Sequence, residues 1–529
     1  MTSEGGPTRP SNDGTPASTD APSTHAPSRE APVEVTSSDR EGDEAPSEAT
    51  SPDAAEPERT GLPPLGPPRR GAAPSWALVV LLVAVGLSAG FLVKAPCLAT
   101  YPTAGGGAAL DWREGRQYTY VCYSDTIPLY GLERLSEGDF PYKTSWLDDD
   151  GVTQRYMEYP VLTGLLQYGV MRATKAWVAA TDDPQRPNPP EVVVYFVIMA
   201  IVLALAWLAA VLATVPLLTR QRTVGVALLT VSPLVIVHVF TNFDALAVAL
   251  AAGGMLAWAR RRPTLAGVLL GLGAAAKLYP LFFLGPLLFL GIRTGKLEGW
   301  VRAAVAAAGA WLAVNAPIAL LYPAGWREFY RLNSTRPADH DTVYFAFRVL
   351  FGWQGFDGPL PSGEPPRVLN VVTLLMFGLV CALVAAIALT APRRPRVASL
   401  TFLVVAGFLL TNKVWSPQYS LWLVPLAVLA ISRWKVLLVW MTVDAAVWYP
   451  RMQYFLRFDE HWTKTFVTAV LVRDLVVLGL CAIVVRDIYR PDLDPIRSSG
   501  VDDPCGGVYD EAPDAVLRRR RPGARTARR

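Results

Sequence analysis

The run TLAGVLLGLGAAAKLYPLFFLGPLLFLGI, residues 264–292, decides the class of fold. A membrane-spanning helix takes about 20 predominantly apolar residues, so this run is too long for one crossing. Lys277 and Pro280 lie at its centre, and proline interrupts a helix because it has no backbone N–H to donate. The run therefore predicts two short apolar helices that meet at KLYP, residues 277–280.

The rest of the chain is apolar in similar blocks. Of its 529 residues, 51% are hydrophobic and 18% are charged, and the mean hydropathy is +0.27. These values are too apolar for an ordinary soluble protein, and we expect an all-α polytopic membrane protein. The other predicted spans lie near 75–93, 191–217, 224–240, 242–258, 299–322, 369–390, 397–413, 417–432, 434–450 and 465–485.

The two ends of the chain depart from this pattern. Residues 1–73 are almost wholly Ser, Thr, Pro, Ala, Gly, Asp and Glu, and predict a disordered acidic cytoplasmic tail. Residues 487–529 predict a basic cytoplasmic tail, which leaves 74–486 as the membrane domain. The net charge of +4 is small for a chain of this length, so it does not indicate nucleic acid as a partner. No secretory signal is recognised, and the first apolar helix is expected to be an uncleaved anchor.

Basic clusters orient the predicted spans, because positive residues concentrate in short cytoplasmic loops. Such clusters include Arg69–Arg70, Arg260–Arg262 and residues 393–396. Placing the clusters on the cytoplasmic side gives about twelve crossings of the cell membrane, with both termini cytoplasmic and large external loops at 94–157 and 323–368. The segment 158–177 is apolar at first but carries Arg172 and Lys175. In this count it is re-entrant or interfacial, and if it spans, another segment within 191–258 must be broken.

The first external loop, 94–157, is long and rich in Trp, Tyr and acidic residues, which is typical of a functional loop. On the oxidising side of a membrane, Cys97 and Cys122 predict a disulfide that fixes the chain just before Asp125, with two free thiols as the alternative. Asp125 is either an ordinary solvated residue or a general base for an acceptor hydroxyl.

Other polar residues at helix breaks are predicted on the same external face. Lys277 either pairs with Asp244 or contacts an anionic ligand. Asp244 opens an apolar helix, where the helix macrodipole alone would explain a carboxylate. Lys413, just before the break at Pro417, either extends to the membrane interface or joins Lys277 in a site for phosphate.

The second external loop, 323–368, is rich in arginine, contrary to the usual charge bias of external loops. Arg336 and His340 lie in it and are candidates for contacting an anionic partner, with solvated ion pairs as the alternative. The sequence contains no HExxH motif, zinc-spaced cysteine pairs, P-loop or dinucleotide fingerprint. We predict no metal ligands and no cofactor, and leave dependence on a divalent metal open.

Four stretches together carry a family resemblance over roughly residues 75–485. They are CYSDTIPLYGLERLSEGDFPY at 122–142, EYPVLTG at 158–164, NFDALAVALAAGGMLAWARRRPTLAGVLLGLGAAAKLYPL at 242–281, and NKVWSPQYSLWLVPLA at 412–427. This combination resembles the actinobacterial membrane proteins of glycosyltransferase family 87, also catalogued as a domain of unknown function, in the GT-C superfamily. The resemblance implies a GT-C-like helical bundle.

The resemblance also implies an activity: transfer of a hexose, mannose in characterised members, from a polyprenyl-phosphate donor to a lipid or glycan acceptor at the outer membrane face, with inversion. The matching carboxylate of the first external loop is Asp125, which would act as general base. Lys277 and Lys413 are candidates for the donor phosphate by motif position, and Arg336 and His340 by composition and location. The residues expected to line the same cavity are Tyr123, Glu158, Tyr159, Asp244, Tyr279, Gln418 and Tyr419.

Two other functions fit the same composition. One is a transporter or lipid flippase, since charged residues inside membranes also mark transport paths. The other is a non-catalytic scaffold whose cytoplasmic tails bind partners and whose sugar site has decayed. The run RRRR at 518–521 could simply contact anionic membrane lipids. Both predict that Asp125→Asn keeps function, whereas the transferase predicts its loss.

Overall fold

The structure is a computed structural model, and it describes residues 73–104, 107–148, 151–181, 188–219, 221–361, 363–510 and 512. Most of the predicted acidic tail, residues 1–72, and the basic run RRRR at 518–521 lie outside these ranges.

The described residues are mostly helical, as the composition predicts. The α-helices are α1 Trp76–Lys94, α2 Arg116–Thr119, α3 Leu129–Leu132, α4 Val161–Thr181, α5 Glu191–Thr214, α6 Arg222–Val231, α7 Pro233–His238, α8 Asp244–Ala259, α9 Pro263–Ala276, α10 Leu284–Thr294, α11 Leu297–Leu321, α12 Pro323–Thr335, α13 Val343–Phe351, α14 Arg367–Thr390, α15 Val397–Thr411, α16 Leu423–Ala430, α17 Trp434–Ala446, α18 Trp448–Arg457 and α19 Glu460–Tyr489. Two small antiparallel ribbons lie in the loop 94–157, one of β1 Thr100–Pro102 with β2 Ala108–Leu110, the other of β3 Trp146–Leu147 with β4 Gln154–Arg155.

Five helical segments in the described part of the chain are long and apolar enough to cross a membrane: Trp76–Leu98, Glu191–Leu217, Leu297–Leu321, Arg367–Thr390 and Glu460–Tyr489. Shorter apolar helices accompany them between residues 222 and 430. Large aliphatic side chains on the long helices are exposed, such as Leu320 at 82% and Leu374 at 69%. Outward apolar surface of this kind fits a multi-pass membrane protein.

The predicted break at KLYP is confirmed. Helix α9 ends at Ala276, Lys277 has an extended backbone (φ −159°, ψ 138°), and a 3-10 helix at Tyr279–Phe283 leads into α10. The second proline break has the same form, because α15 ends at Thr411 and a 3-10 helix at Pro417–Trp422 precedes α16. Each break places non-helical backbone beside lysine within an apolar region.

Two segments of the region 158–258 differ in continuity from the expectation: 158–177 is more continuous, and 224–240 is broken. The segment 158–177 lies mostly in α4, an unbroken helix of 21 residues. Its polar end is tied to the loop 94–157, because Lys175 Nζ donates to the Ser136 carbonyl at 2.8 Å. The predicted span 224–240 is divided into α6 and α7 at Ser232 and Pro233, since proline cannot continue the hydrogen-bonded ladder of α6.

Close helix packing holds the centre of the bundle. A Cβ at Gly267 would lie 2.1 Å from the Ala303 carbonyl oxygen, and one at Gly271 would lie 2.2 Å from that of Ala307. Small residues therefore let α9 and α11 approach at backbone contact, as in many membrane helix pairs.

Residues 490–510, assigned above to a basic tail, pack against the helices. Asp494 and Asp503 are buried there. Arg396 Nε lies 2.9 Å from Asp494 Oδ2, and the Trp258 indole donates to the Gly506 carbonyl at 3.1 Å. The acidic residues of this segment thus compensate a buried arginine at the start of α15.

Candidate active site

The loops 94–157 and 323–368 and the two proline breaks surround one cavity of about 470 Å³. Most residues predicted for the site line it, although they come from parts of the chain almost 300 residues apart. The predicted residues in its wall are Tyr123, Asp125, Glu158, Tyr159, Lys277, Arg336, His340, Gln418 and Tyr419. Three others, Asp244, Tyr279 and Lys413, are buried immediately behind the wall.

Asp125 is held by neutral donors. Its backbone N–H donates to the Thr241 carbonyl at 2.8 Å. Its Oδ2 accepts hydrogen bonds from Asn242 Nδ2 at 2.6 Å and from Gln418 Nε2 at 3.3 Å. Among the residues that the structure describes, no cation forms a salt bridge with Asp125. The carboxylate is therefore oriented without being neutralised.

The chain around Asp125 is fixed at successive residues. Cys97 and Cys122 form the predicted disulfide, with Cα atoms 5.6 Å apart. Lys94 Nζ donates to the Tyr123 carbonyl at 2.8 Å, and Ser124 Oγ donates to the Phe240 carbonyl at 2.7 Å. These contacts tie the segment to the end of α1 and to the chain that follows α7.

Val121 begins this segment in an unusual conformation. Its φ is +59°, a left-handed value that is rare and costly for a β-branched residue. The Trp448 indole donates to the Val121 carbonyl at 2.9 Å, and the disulfide follows at the next residue. Surrounding contacts therefore maintain a strained backbone four residues before Asp125.

Lys277 and Asp244 form a pair that also reaches the cavity. Lys277 Nζ lies 3.4 Å from Asp244 Oδ2, and the fully buried Asp244 accepts a 2.7 Å hydrogen bond from the Trp422 indole. The same ammonium lies 4.7 Å from the Tyr419 ring centroid. The pairing suggested from sequence is present, and the 14% exposed lysine side chain still lines the cavity. Tyr279 stacks on Trp422 at 4.4 Å and so supports Asp244 indirectly.

Arg336 is the cavity cation with the fewest partners. Its guanidinium makes no hydrogen bond or salt bridge to any described residue. Lys413 lies behind it, where Nζ donates to the Arg336 carbonyl at 2.6 Å and to Asn370 Oδ1 at 2.5 Å. Lys413 therefore holds the backbone that presents Arg336, and its own ammonium is already occupied.

Arg451 is a cavity residue that the sequence analysis missed. It lies on α18, where Nε forms a 2.8 Å salt bridge with the fully buried Asp341. Its guanidinium lies 4.8 Å from the Phe455 ring centroid and lines the cavity. Helix α18 reads WYPRMQYFLR, and the arginine flanked by aromatic residues was the available signal.

Asn242 is the second residue that was missed. The motif NFD was singled out for its acidic member, yet Asn242 provides the shortest hydrogen bond to Asp125. Its own carbonyl oxygen accepts from the Phe243 N–H at 2.6 Å, which fixes the orientation of the amide.

The acidic groups around the cavity have different environments. Burial raises the pKa of Glu158, and Arg336 and Arg155 only partly oppose this. Burial also acts on Asp339, but the hydrogen bond from His340 and the charges of Arg336 and Arg451 outweigh it and lower the pKa of Asp339 to about 2.

Tyr123 contributes a hydroxyl to the same wall. Burial, and then the neighbouring Asp125 carboxylate, raise the pKa of Tyr123 well above its ordinary value. The phenol therefore stays protonated and can donate a hydrogen bond beside Asp125. The described residues contain no group of three or more His, Cys, Asp or Glu side chains placed to hold a metal ion.

Residues 189–412 match glycosyltransferase family 87. This stretch carries Asn242, Lys277 and Arg336, and the cavity is completed by Asp125 and Gln418 from outside it. No curated protein sequence matches the chain. The match covers less than half of the chain. The long apolar helices fit a multi-pass membrane protein.

Proposed function

We propose that this protein is a membrane glycosyltransferase. It moves a hexosyl residue, mannosyl by analogy with the resemblance described above, from a polyprenyl-phosphate sugar to a hydroxyl of a lipid or glycan acceptor. The reaction inverts the anomeric centre, and Asp125 is the general base. The observation that carries this proposal is an oriented carboxylate without a counter-ion in a cavity that also presents Lys277, Arg336 and Arg451.

The reaction begins at the acceptor hydroxyl. Asp125 accepts its proton as the oxygen attacks the anomeric carbon. The bond between that carbon and the phosphate oxygen breaks, which releases polyprenyl phosphate and produces the new glycosidic bond. The hydrogen bonds from Asn242 and Gln418 hold one carboxylate oxygen and so orient the base toward the acceptor.

The leaving group gains negative charge during this step, and fixed cations in the cavity would stabilise it. Arg336 is the first candidate, because its guanidinium is unpaired among the described residues and can contact phosphate in a bidentate manner. Lys277 and Arg451 keep their carboxylate partners and add charge from two sides. Lys413 positions Arg336, while His340 packs at 4.6 Å from the Phe345 ring and shapes the wall.

In the proposed orientation the chain crosses the membrane about twelve times, with both termini cytoplasmic. The cavity then faces the external side, where a polyprenyl-linked donor and a membrane-anchored acceptor can meet. The oxidised Cys97–Cys122 pair supports this orientation, because disulfides persist on the oxidising side of a membrane.

The test is a transfer assay on protein purified with its native lipids. It is incubated with radiolabelled polyprenyl-phosphate mannose and a membrane extract as the source of acceptor. We expect label in a new product with the wild type, and a loss of about 10²–10⁴-fold for Asp125→Asn. Asp111→Asn is the matched control, because Asp111 lies in the same external loop, paired with Arg113 away from the cavity. Retained transfer by Asp125→Asn would refute the general base.

A further inference from the structure

A second cavity adjoins the first. Its volume is about 320 Å³, and it shares Pro337 and Ala338 with the wall of the Asp125 cavity. The rest of its lining comes from α13, from the loop 353–360 and from the start of α14. Cavities of roughly 300–1,000 Å³ are the usual size for small-molecule sites.

The lining combines aromatic faces with hydrogen-bonding groups. Trp353 and Phe356 meet at right angles, with centroids 4.8 Å apart, and Tyr344 lies 6.2 Å from Phe356. Phe356 is 44% exposed, so a large apolar face is open to a ligand. Arg348 and Gln354 stand among these rings.

Of the two charged side chains in this lining, Arg348 is available to bind a ligand, whereas Asp357 is occupied by backbone hydrogen bonds. The exposed Arg348 side chain makes no hydrogen bond or salt bridge to any described residue. Asp357 accepts from the backbone N–H groups of Val368 and Leu369 at 2.7 and 2.9 Å, and so caps α14. The wall is therefore fixed by a helix cap while its guanidinium stays free to donate.

The cavity also adjoins one of the candidate membrane-spanning helices. It borders the first turn of α14, whose next turns expose Val371 and Leu374 as expected for a lipid-facing span. If α14 spans the membrane, a ligand here would lie near the end of that span, in a cavity that shares Pro337 and Ala338 with the Asp125 cavity.

We propose that this second cavity binds the saccharide portion of the membrane-anchored acceptor and presents its hydroxyl to Asp125. A sugar ring offers one apolar C–H face and a rim of hydroxyls, which match the Trp353–Phe356 corner and the donors Arg348 and Gln354. An alkyl chain would make no hydrogen bond with the exposed Arg348 and Gln354 side chains, so it would use only the aromatic part of the lining. The inference rests on the proposed transferase function, because it names the occupant by its role in that reaction.

The test measures binding without the donor. Saturation-transfer NMR is recorded on the protein in lipid nanodiscs with methyl glycosides of mannose, glucose, galactose and N-acetylglucosamine. We expect at least one glycoside to bind the wild type, and its affinity to fall at least about fivefold in Trp353→Ala and in Arg348→Ala. Phe351→Ala is the matched control, because Phe351 is 71% exposed on the same helix as Arg348 and does not line the cavity.

The same variants in the transfer assay should raise the acceptor KM at least about fivefold and leave the donor KM unchanged. Unchanged acceptor KM in an active enzyme overturns this inference while the proposed function stands. A second outcome also overturns the saccharide site while the transferase stands. In it, Asp125→Asn loses transfer, but the wild type binds no glycoside or all variants bind glycoside equally. Trp353-dependent glycoside binding with no transfer by the wild type leaves the saccharide site standing and refutes the transferase.

Discussion

The side-chain amide of Asn242 donates a 2.6 Å hydrogen bond to Oδ2 of Asp125, although 117 residues separate them in sequence. The amide cannot turn freely, because its oxygen accepts from the Phe243 N–H and its nitrogen also donates to the Tyr159 hydroxyl at 3.0 Å. Asn242 therefore sets the direction of the carboxylate.

Replacing Asn242 by Ala should lower kcat by about tenfold to a hundredfold, the usual range for losing one hydrogen bond to a charged group. The donor KM should change little, because Asn242 orients the base. Asn333→Ala is the control, since Asn333 lines the same cavity but donates to the Phe329 carbonyl. Equal kcat in the two variants would contradict this role.

Removing the disulfide should destabilise the protein and misplace Asp125. The bond closes a loop of 25 residues, which corresponds to roughly 3 kcal/mol of loop entropy. We expect Cys97→Ser and Cys122→Ser to lower the apparent Tm and transfer activity alike, and the double variant to equal either one. Cys381→Ser, at a free cysteine, should behave as wild type. Full activity of the double variant would show that Asp125 is positioned without the bond.

Neutralising Arg336 should weaken the stabilisation of phosphate. For Arg336→Gln we expect kcat/KM for the donor to fall by about tenfold to a hundredfold. Arg336→Lys should recover only part of this, because an ammonium lacks the bidentate geometry of guanidinium. Arg327→Gln, an exposed position on α12, is the control. A loss confined to the acceptor KM would assign Arg336 to the acceptor instead.

The Lys277–Asp244 pair permits a double-mutant cycle. Lys277→Met alone leaves Asp244 buried without a counter-charge, and we expect a loss of about 3–5 kcal/mol of stability. The double variant Lys277→Met with Asp244→Asn should regain much of the Tm, because no buried charge remains and the amide oxygen can still accept from the Trp422 indole. Transfer should not return, since the cavity has lost a cation. Recovery of both properties would restrict Lys277 to a structural role.

The ionised Asp339 should stabilise the fold in a pH-dependent way. Its pKa is lowered from 3.8 to about 2, so its contribution of about 2 kcal/mol is complete above the unfolded-state pKa and is lost as the pH falls toward 2. The stability difference between wild type and Asp339→Asn should be the same at pH 7 and pH 5, and roughly halved at pH 3. The exposed Asp139→Asn should show no difference. A difference that grows below pH 5 would contradict this sign.

Sequence alone located the helix breaks and the cysteine pair because these depend on local chemistry. A proline inside an apolar run breaks a helix wherever the run lies, as at Pro280 and Pro417. Two cysteines in one external loop can pair whatever the rest of the chain does. The convergence of Lys277, Arg336 and Gln418 on one cavity followed from placing their segments on a common face.

Sequence could not identify the partners within that face. Lys413 and Lys277 look alike in sequence, because each lies beside a proline break. In the structure, however, the Lys413 ammonium donates its hydrogen bonds to the Arg336 carbonyl and to Asn370. Asn242 and Arg451 were missed for the same reason, since neither pattern nor spacing indicates which side chain will meet Asp125 from over a hundred residues away. These contacts depend on the assembled bundle.

Residues 121–125 are held by elements from distant parts of the chain, so their conformation depends on complete packing of the helical bundle. The strained Val121 and the oriented Asp125 are held by α1, by the chain between α7 and α8, by the second proline break and by α18. Those partners are made at different times during synthesis and meet only when the last of them is inserted. If Asp125 is the base proposed above, a partly built or misfolded chain would not transfer sugar, because the carboxylate is held in place only when all of these elements have packed around it.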